Sequence, residues 1–181
     1  MTEARGIRVG VLTVSDSCAA GLREDRSGEA ICAWARGLGY DVVTRGVVPD
    51  DTGSIAAALL DWCDELGLDV VLSTGGTGLG PRDVTPEATR SVLEREAPGI
   101  AEEIRLRGRE KTPYAALSRG LAGVRGATLV VNLPGGTGGV LDGLTVLGPM
   151  VAHAVALLRG EDAPHAPPSA RGPTASEGGA A

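Results

Sequence analysis

Short apolar runs alternate along the chain with segments in which apolar residues recur at helical spacing. The runs are rich in Val and Leu, a composition typical of buried strands. Strands are predicted at residues 8–15, 40–48, 69–72 and 127–133. Helices are predicted from a cap at Ser27 to Gly39, over Ile55 to Leu66, at 86–96, at 100–110, and as one or two helices from 140 to about 158. A polar loop is expected at residues 16–26.

Strands that alternate with helices predict an α/β fold with a mostly parallel sheet covered by helices on both faces. Folds of this kind bind ligands in the crevice at the carboxyl ends of the strands. Polar or glycine-rich segments follow each predicted strand, at residues 15–17, 49–51, 74–83 and 132–139. We therefore expect one composite site at that edge of the sheet.

Composition places limits on the class of protein. The chain has 181 residues, 43% of them hydrophobic, which suits one domain with a real core. That domain is expected at residues 5–160, followed by a disordered tail at 161–181 that is rich in Pro, Ala, Gly and Ser. The three cysteines fit reduced thiols, with Cys32 and Cys63 in the core and Cys18 in a loop.

Charge and hydropathy exclude several partners. A net charge of −6 and 2% aromatic residues argue against a nucleic-acid binder, which normally carries a basic surface. No apolar run approaches the roughly 20 residues of a membrane span. Arg5 and Arg8 interrupt the first apolar residues, so a signal peptide is not expected. These patterns predict a cytoplasmic protein that binds neither nucleic acid nor membrane.

The segment from Ser73 to Ala88 carries the strongest functional signal. It joins a predicted strand to a helix start in which Thr85 is expected to cap, Pro86 to occupy the first helical position and Glu87 to meet the positive end of the helix dipole. The glycines between them let anionic groups approach backbone N–H donors, and Asp83 can hold a divalent cation. An ordinary strand-to-helix turn is the alternative. The adjoining Arg82 and Asp83 favour a nucleotide or phosphate site.

Further candidates lie on the neighbouring segments. The loop at 134–139 also offers backbone N–H groups near a helix start, so a ligand with several phosphates is expected. The carboxylates of Asp50, Asp83 and Asp142 suit magnesium, which binds through one or two carboxylates together with substrate phosphates. Each of these acids, taken alone, is more typical of a helix cap or a solvated surface charge. Arg82 and the pair Ser118–Arg119 are candidate phosphate ligands.

The sequence lacks other familiar catalytic sets. It shows no Ser-His-Asp or Cys-His arrangement, no metal-binding cysteine cluster and no Walker sequence. Neither His153 nor His165 suggests a metal ligand or a general base. Phosphates, magnesium and hydroxyl groups remain, which suffice for phosphoryl or nucleotidyl transfer.

Seven segments of the chain resemble the molybdopterin adenylyltransferase family, which comprises the MogA and MoaB proteins and the corresponding domain of gephyrin. These segments are residues 13–17, 25–28, 48–51, 74–78, 81–88, 117–119 and 126–135. They occur in family order and cover about residues 7–159. The resemblance implies a three-layer molybdopterin-binding fold and the ATP- and magnesium-dependent adenylylation of molybdopterin, with release of pyrophosphate.

The resemblance also implies the site. Asp50 and Asp83 match family aspartates needed for activity, and both are expected near magnesium. The expected nucleotide and pterin ligands are Ser15, Asp16, Ser17, Thr74, Gly75, Gly76, Thr77, Gly78, Arg82, Thr85, Ser118, Arg119, Asn132, Pro134, Gly135, Gly136 and Asp142. Many relatives carry a proline after Asn-Leu-Pro-Gly-x and a glutamate further along, where this chain has Thr137 and Asp142.

The family further implies a homo-oligomer, either a trimer or a hexamer, and transfer of the product to a molybdenum-insertion protein. The main alternative is a non-catalytic molybdopterin-binding paralogue or carrier of the same fold. A related domain of the molybdenum-insertion or competence-damage proteins normally occurs in longer chains. A generic flavodoxin-like binder is the least specific alternative. The sequence is compatible with a role in either a molybdenum or a tungsten pathway.

Overall fold

The predicted alternation of strands and helices is present in the computed structural model of the chain, which describes residues 6–161. Nearly all of the predicted tail at 161–181 lies outside the described residues. The strands are β1 (Arg8–Val14), β2 (Asp41–Val48), β3 (Val70–Thr74), β4 (Arg95–Glu96), β5 (Ala122–Arg125) and β6 (Thr128–Leu133). The helices are α1 (Asp16–Ala19), α2 (Arg26–Gly37), α3 (Thr52–Leu60), α4 (Thr85–Val92), α5 (Pro98–Arg109), α6 (Thr137–Leu147) and α7 (Val151–Leu158). A π-helical turn (Asp61–Glu65) continues α3, and a 3₁₀ helix (Pro113–Leu117) follows α5.

The described residues form a six-stranded sheet in the order β2-β1-β3-β6-β5-β4. The first four strands in that order are parallel, with Val11 paired with Leu72 and Leu72 paired with Val131. β5 runs antiparallel to both β6 and β4. The predicted fold class, an α/β fold with a mostly parallel sheet, is confirmed, and the two antiparallel edge strands are additional to it.

Two separate apolar cores lie on opposite faces of the sheet. Alternation along β1 sends Val9 and Val11 to one face and Leu12 and Val14 to the other. Helices α2, α5, α6 and α7 cover the first face, and α3, the π-helical turn and α4 cover the second. Cys32 and Cys63 are buried, one in each core, as predicted. The expected three-layer arrangement is therefore present.

Several local predictions were wrong. The segment expected as a helix to residue 96 leaves the helix after Val92 and enters β4. Residues 16–26, expected to be a loop, contain the short helix α1, which places the half-buried Cys18 in a helix. Proline at 98 begins α5, because a proline in the first turn loses no intrahelical hydrogen bond.

The predicted helix caps were also displaced. Asp25, not Ser27, caps α2 by accepting a hydrogen bond from the backbone N–H of Gly28 at 2.8 Å. Helix α4 begins at Thr85 after a cap position at Val84 that has no side-chain hydrogen bond. The hydroxyls of Ser27 and Thr85, which were expected at these caps, donate instead to the carbonyl oxygens of Gly135 and Gly75.

No single helix within residues 6–161 is long and apolar enough to cross a membrane, and only the pair α6 and α7, bent by 59°, passes that test together.

Candidate functional site

The loops that follow β1, β2, β3 and β6 meet at the carboxyl edge of the sheet. Strand β1 has β2 on one side and β3 on the other, so successive connections diverge beside it. Parallel sheets bind ligands in the crevice that such a reversal opens. The expected composite site thus has a structural basis in the strand order.

Two hollows occupy this crevice. The first hollow, about 630 Å³, is lined by residues that include Ser15, Cys18, Arg23, Asp25, Ser27, Thr74, Gly75 and Thr137. The second hollow, about 600 Å³, is lined by residues that include Gly76, Thr77, Gly78, Asp83, Ile104, Arg105, Lys111, Tyr114, Leu117, Ser118, Pro134 and Asp142. Gly135 and Gly136 line both. The hollows are therefore neighbouring parts of one crevice.

Glycines let the two loops approach each other between the hollows. A Cβ on Gly135 would lie 3.3 Å from the Cα of Gly75, a distance tighter than most side chains tolerate. Gly75 and Gly76 have φ values of +98° and +61°, a region that residues with a side chain rarely adopt. These positions explain why glycines are needed at this point of the β3–α4 connection.

Buried hydroxyls fix the loops in place. Thr74 donates to the carbonyl oxygen of Pro134 at 2.7 Å, and Ser27 donates to that of Gly135 at 2.8 Å. Thr85, fully buried, donates to the carbonyl oxygen of Gly75 at 2.9 Å. Thr74 and Thr85 were predicted to contact ligand; the structure has them holding the glycine loops that line the hollows.

Asp16 and Asp50 lock the loops after β1 and β2 together. The backbone N–H of Asp16 donates to Asp50 Oδ2 at 2.9 Å, and the backbone N–H of Asp50 donates to Asp16 Oδ1 at 3.0 Å. Arg82 donates to both carboxylate oxygens of Asp16 at 2.9–3.1 Å. The hydrogen bond from Asp50, followed by the one from Arg82, lowers the pKa of Asp16. Three loops of the crevice are joined through this single carboxylate.

The start of helix α1 lies at the wall of the first hollow. Ser15 caps α1 by accepting a hydrogen bond from the backbone N–H of Cys18 at 3.3 Å, and its hydroxyl lies 3.1 Å from that of Ser17. Two of the predicted polar ligands, Ser15 and Ser17, therefore stand side by side.

Asp83 closes the glycine loop after β3. Its Oδ2 accepts a hydrogen bond from the backbone N–H of Gly80 at 2.8 Å. Arg119 donates to the carbonyl oxygens of Gly78 and Asp83, at 2.7 and 2.6 Å, and pairs with Glu87. The hydrogen bond from Arg119 lowers the pKa of Glu87. Arg119, predicted as a phosphate ligand, is engaged in these contacts and holds the loop.

Asn132 lies below the crevice. Its side chain is 2% exposed and donates to the hydroxyls of Ser73 and Thr89, at 2.8 and 2.9 Å. Its Oδ1 accepts a hydrogen bond from the backbone N–H of Leu121 at 3.1 Å. Asn132 lines neither hollow, whereas the half-buried Ser118 lines the second. The structure thus joins most predicted site residues at one edge and leaves Asn132 in the interior.

Asp50 and Asp83 both lie against the glycine loop. A Cβ on Gly76 would stand 3.0 Å from Asp50 Oδ1, and one on Gly78 would stand 2.8 Å from Asp83 Oδ2. The Oδ1 atoms of both aspartates accept no hydrogen bond from residues 6–161. No three His, Cys, Asp or Glu side chains converge into a metal cluster within that range. This donor set fits magnesium that arrives with phosphates, because Mg²⁺ keeps only one or two protein carboxylates in such sites.

Sequence reasoning missed the hydrogen-bond network in the wall of the first hollow. Asp25 accepts hydrogen bonds from Thr13 Oγ1 and Arg45, at 2.8 and 2.9 Å, besides capping α2. Burial raises the pKa of Asp25, but the bonds from Arg45, Gly28 and Thr13 outweigh it, so the pKa lies below 3.8. The segment 25–28 was among those that carry the family resemblance, and that was the available signal.

The second hollow holds another ion pair outside the predicted set. Lys111 Nζ donates to Asp142 Oδ1 at 2.5 Å, and the side chain of Asp142 is only 9% exposed. Asp142 was a predicted ligand, but Lys111 had no assigned role. The two are 31 positions apart, so their pairing appears only in the folded chain.

Comparisons with known proteins agree with the fold. Residues 10–153 match the family described as the probable molybdopterin binding domain. The chain is 43% identical over 157 residues to the molybdenum cofactor synthesis protein cinnamon of Drosophila melanogaster, covering 86% of this chain and 26% of that protein. It is 35% identical over 164 residues to a molybdopterin adenylyltransferase of Helicobacter pylori, covering 85% of this chain and 89% of that protein.

A solved structure gives the same result. The molybdopterin biosynthesis enzyme MoaB from Thermus thermophilus is 49% identical, with a TM-score of 0.81 over 87% of this chain and 99% of that chain. The chain spans 26% to 49% of the length of the first curated relatives it matches. The resemblance predicted from seven sequence segments is confirmed. The chain belongs to the family of probable molybdopterin-binding domains.

Proposed function

We propose that this protein acts in molybdenum cofactor biosynthesis as a nucleotidyltransferase that adenylylates molybdopterin with ATP and magnesium. The observation that carries the proposal is the pair of hollows that share Gly135 and Gly136, with Asp50 and Asp83 against the intervening glycine loop. Two adjoining hollows suit a reaction between two sizeable ligands. Relatives named molybdopterin adenylyltransferase support the same chemistry.

The reaction follows from the charges of its substrates. A terminal phosphate oxygen of molybdopterin forms a bond to the α-phosphorus of ATP, the bond to the β-phosphate oxygen breaks, and pyrophosphate leaves. The attacking phosphate is already anionic near neutral pH, so no strong general base is required. The difficulty lies in bringing two anions together, and catalysis depends on positioning and on charge neutralisation.

The residues of the crevice have distinct parts in this proposal. Asp50 and Asp83 would hold magnesium, which neutralises phosphate charge when bound. Backbone N–H groups of the loops at 75–78 and 135–136 would bind phosphate oxygens. Arg82 would supply a guanidinium donor if it exchanges Asp16 for phosphate. Ser15 and Ser118 would add hydroxyl contacts on the walls, with Ser17 hydrogen-bonded to Ser15 behind the first of them.

The proposal extends to the wider context of the protein. A domain at residues 5–160 would form a homo-oligomer, a trimer or a hexamer, in the cytoplasm. Its product would pass to a molybdenum-insertion protein. These assignments rest on the family resemblance, which does not choose between a molybdenum and a tungsten pathway.

A carrier or inactive paralogue of the same fold is the competing function. It would bind molybdopterin or nucleotide without turnover. Purified protein incubated with ATP, magnesium and molybdopterin separates the two. Adenylylated molybdopterin and an equal amount of pyrophosphate are the expected products. Binding of both ligands without either product would establish the carrier.

A further inference from the structure

The second hollow contains a buried carboxylate with an exposed cationic partner. The side chain of Asp142 is 9% exposed, whereas that of Lys111 is 62% exposed. A carboxylate this buried needs a partner, because an unpaired buried charge is strongly destabilising. Lys111, just after α5, reaches Asp142 on α6 and supplies that partner. The lysine ammonium has three donors, and a single hydrogen bond to Asp142 leaves two for a ligand.

Of the two cations around this hollow, Lys111 is the exposed one and Arg105 is half-buried. Only Arg105 and Lys111 are basic among the described residues that line it. Arg105 donates to the carbonyl oxygens of Ser118 and Gly120, at 3.4 and 3.1 Å. Asp83 and Asp142 contribute two negative charges to the same wall. An anionic ligand that enters from solvent therefore meets its most exposed favourable charge at Lys111.

The apolar part of the wall strengthens this effect. Ile104, Tyr114 and Leu117 line the hollow beside the ion pair. Charges act more strongly on each other near apolar walls than in open solvent. The side chain of Lys111 is 62% exposed, so solvent screens part of this effect and leaves the ammonium group open to an approaching phosphate.

We propose that Lys111, held by Asp142, is a specificity-determining residue that binds a phosphate group of the ligand in the second hollow. This inference rests on the proposed function for the existence of phosphate-bearing ligands. The phosphate belongs either to ATP or to molybdopterin. The two sources present the same chemistry to an ammonium group, and the experiment below tests each separately.

Three variants separate the lysine from its partner. Lys111→Met removes the positive charge but leaves Asp142 as an unpaired buried carboxylate. The double variant Lys111→Met/Asp142→Asn avoids this, because it removes both charges at nearly constant shape. Asp142→Asn alone keeps the ammonium group. Arg109→Met is the matched control. Arg109 is the last residue of α5, two positions before Lys111, and it has the same charge but lines neither hollow. Thermal unfolding confirms that each variant is folded.

Calorimetry with ATP–magnesium and with molybdopterin gives the dissociation constants. The double variant is expected to bind at least one of the two about tenfold or more weakly, the loss typical of a charge-assisted hydrogen bond. Arg109→Met should stay within about threefold of the unmodified protein, and Asp142→Asn, which keeps the ammonium group but loses its partner, should lose less affinity than the double variant. Unchanged affinity of the double variant for both ligands would overturn the inference. So would an equal loss in Asp142→Asn, because binding would then depend on the carboxylate.

A chemical label gives a direct test of contact. Lys111 is the only lysine in the chain, so Lys111 and the N-terminal amine are the two amines that acetic anhydride acetylates. Acetyl groups on tyrosine and cysteine are removed with hydroxylamine, and the N-terminal amine serves as an internal reference. Saturating ATP–magnesium or molybdopterin should slow acetylation of Lys111 relative to that reference, and the ligand that protects it identifies the source of the phosphate. If both ligands bind but neither slows the acetylation of Lys111, the inference about Lys111 is overturned while the proposed function stands. Failure of the unmodified protein to bind either ligand would instead contradict the proposed function and remove the basis of this one.

Discussion

At the scale of single residues, Asp25 shows how one carboxylate in the wall of the first hollow also stabilises the fold around it. It caps α2 and accepts hydrogen bonds from Thr13 and Arg45 while remaining largely buried. Gly28 makes this possible, because a Cβ at that position would overlap the Asp25 carboxylate. The next residues bring Ser27 to the carbonyl oxygen of Gly135. The shape of the first hollow thus depends on the contacts of a side chain in its own wall.

The depressed pKa of Asp25 predicts a pH-dependent contribution to stability. A carboxylate whose folded pKa lies below its unfolded value stabilises the protein above the unfolded pKa, and this contribution disappears as pH falls through the folded pKa. Asp25→Asn should therefore lower the free energy of unfolding at pH 7 by about 1–3 kcal/mol. The difference from the unmodified protein should shrink as pH falls below about 4.

Urea unfolding across pH 3 to 7 measures this difference, with the exposed Asp41→Asn as the control variant. A destabilisation by Asp25→Asn that stays constant over the whole range would contradict the assignment.

The residue types in the sequence predicted which segments come together at the crevice. They did not predict the contacts that each side chain makes there. Thr74, Thr85 and Arg119 all lie where the pattern put them, but they hold the loops. Their partners are backbone carbonyls of other segments, and a sequence pattern does not show which carbonyls a fold brings near. A hydroxyl or guanidinium beside a glycine loop is compatible with either role until the loop is folded.

At the scale of elements, Asn132 joins three of them beneath the crevice. Its amide links β6 to Ser73 on β3 and to Thr89 on α4, and all three side chains are buried. Buried polar groups are tolerated when each finds its partners, and a partly satisfied network is costly. This network keeps the carboxyl ends of β3 and β6 in register with the helix that follows the glycine loop.

Loss of the Asn132 amide should therefore act on stability first. Asn132→Leu leaves the hydroxyls of Ser73 and Thr89 without their donor and should destabilise the fold by about 2–4 kcal/mol. Thr89→Val should lower the free energy of unfolding less in the Asn132→Leu background than in the unmodified protein. In that background the Thr89 hydroxyl has already lost the Asn132 amide as its donor. Urea unfolding of the two single variants and the double variant measures this coupling. Additive losses would show that the two side chains do not interact.

Element prediction succeeded where periodic signal was long and failed where it was short. The four parallel strands carry runs of Val and Leu, and their positions were predicted to within a few residues. β4 has two residues, both exposed and charged, so no hydrophobic alternation marks it. Its pairing with β5 depends on contacts between Arg95 and Val124 that are distant in sequence. The helix expected across this region was broken by tertiary pairing.

At the scale of the whole molecule, both cores and both hollows lie within residues 6–161. The crevice could be predicted because parallel strands end at one edge. The division of the crevice into two hollows could not be predicted, because it depends on the close approach of Gly75 to Gly135. These two residues are 60 positions apart in the chain, as are Thr74 and Pro134, which are hydrogen-bonded beside them.

A chain that ends at Asp162 should keep the folded domain, because residues 163–181 are rich in Pro, Ala, Gly and Ser and offer little apolar surface to bury. It retains every described element together with Arg159, whose pairing with Asp69 ties the end of α7 to the sheet. We expect the same thermal midpoint, the same oligomeric state by light scattering and the same turnover as the full chain. Loss of assembly or of most activity would show that residues 163–181 contribute to the site or to subunit contacts.

The central claim is that the carboxylates beside the glycine loop serve catalysis and not merely binding, and Asp83→Asn tests it most directly. The change is nearly isosteric and removes one charge next to Gly78 and Gly80. Adenylylation of molybdopterin by this variant, followed in a single turnover with ATP and magnesium, should fall by at least about 100-fold. The affinity for molybdopterin should change little. Near-normal turnover, or an equal loss of binding and turnover, would contradict the account.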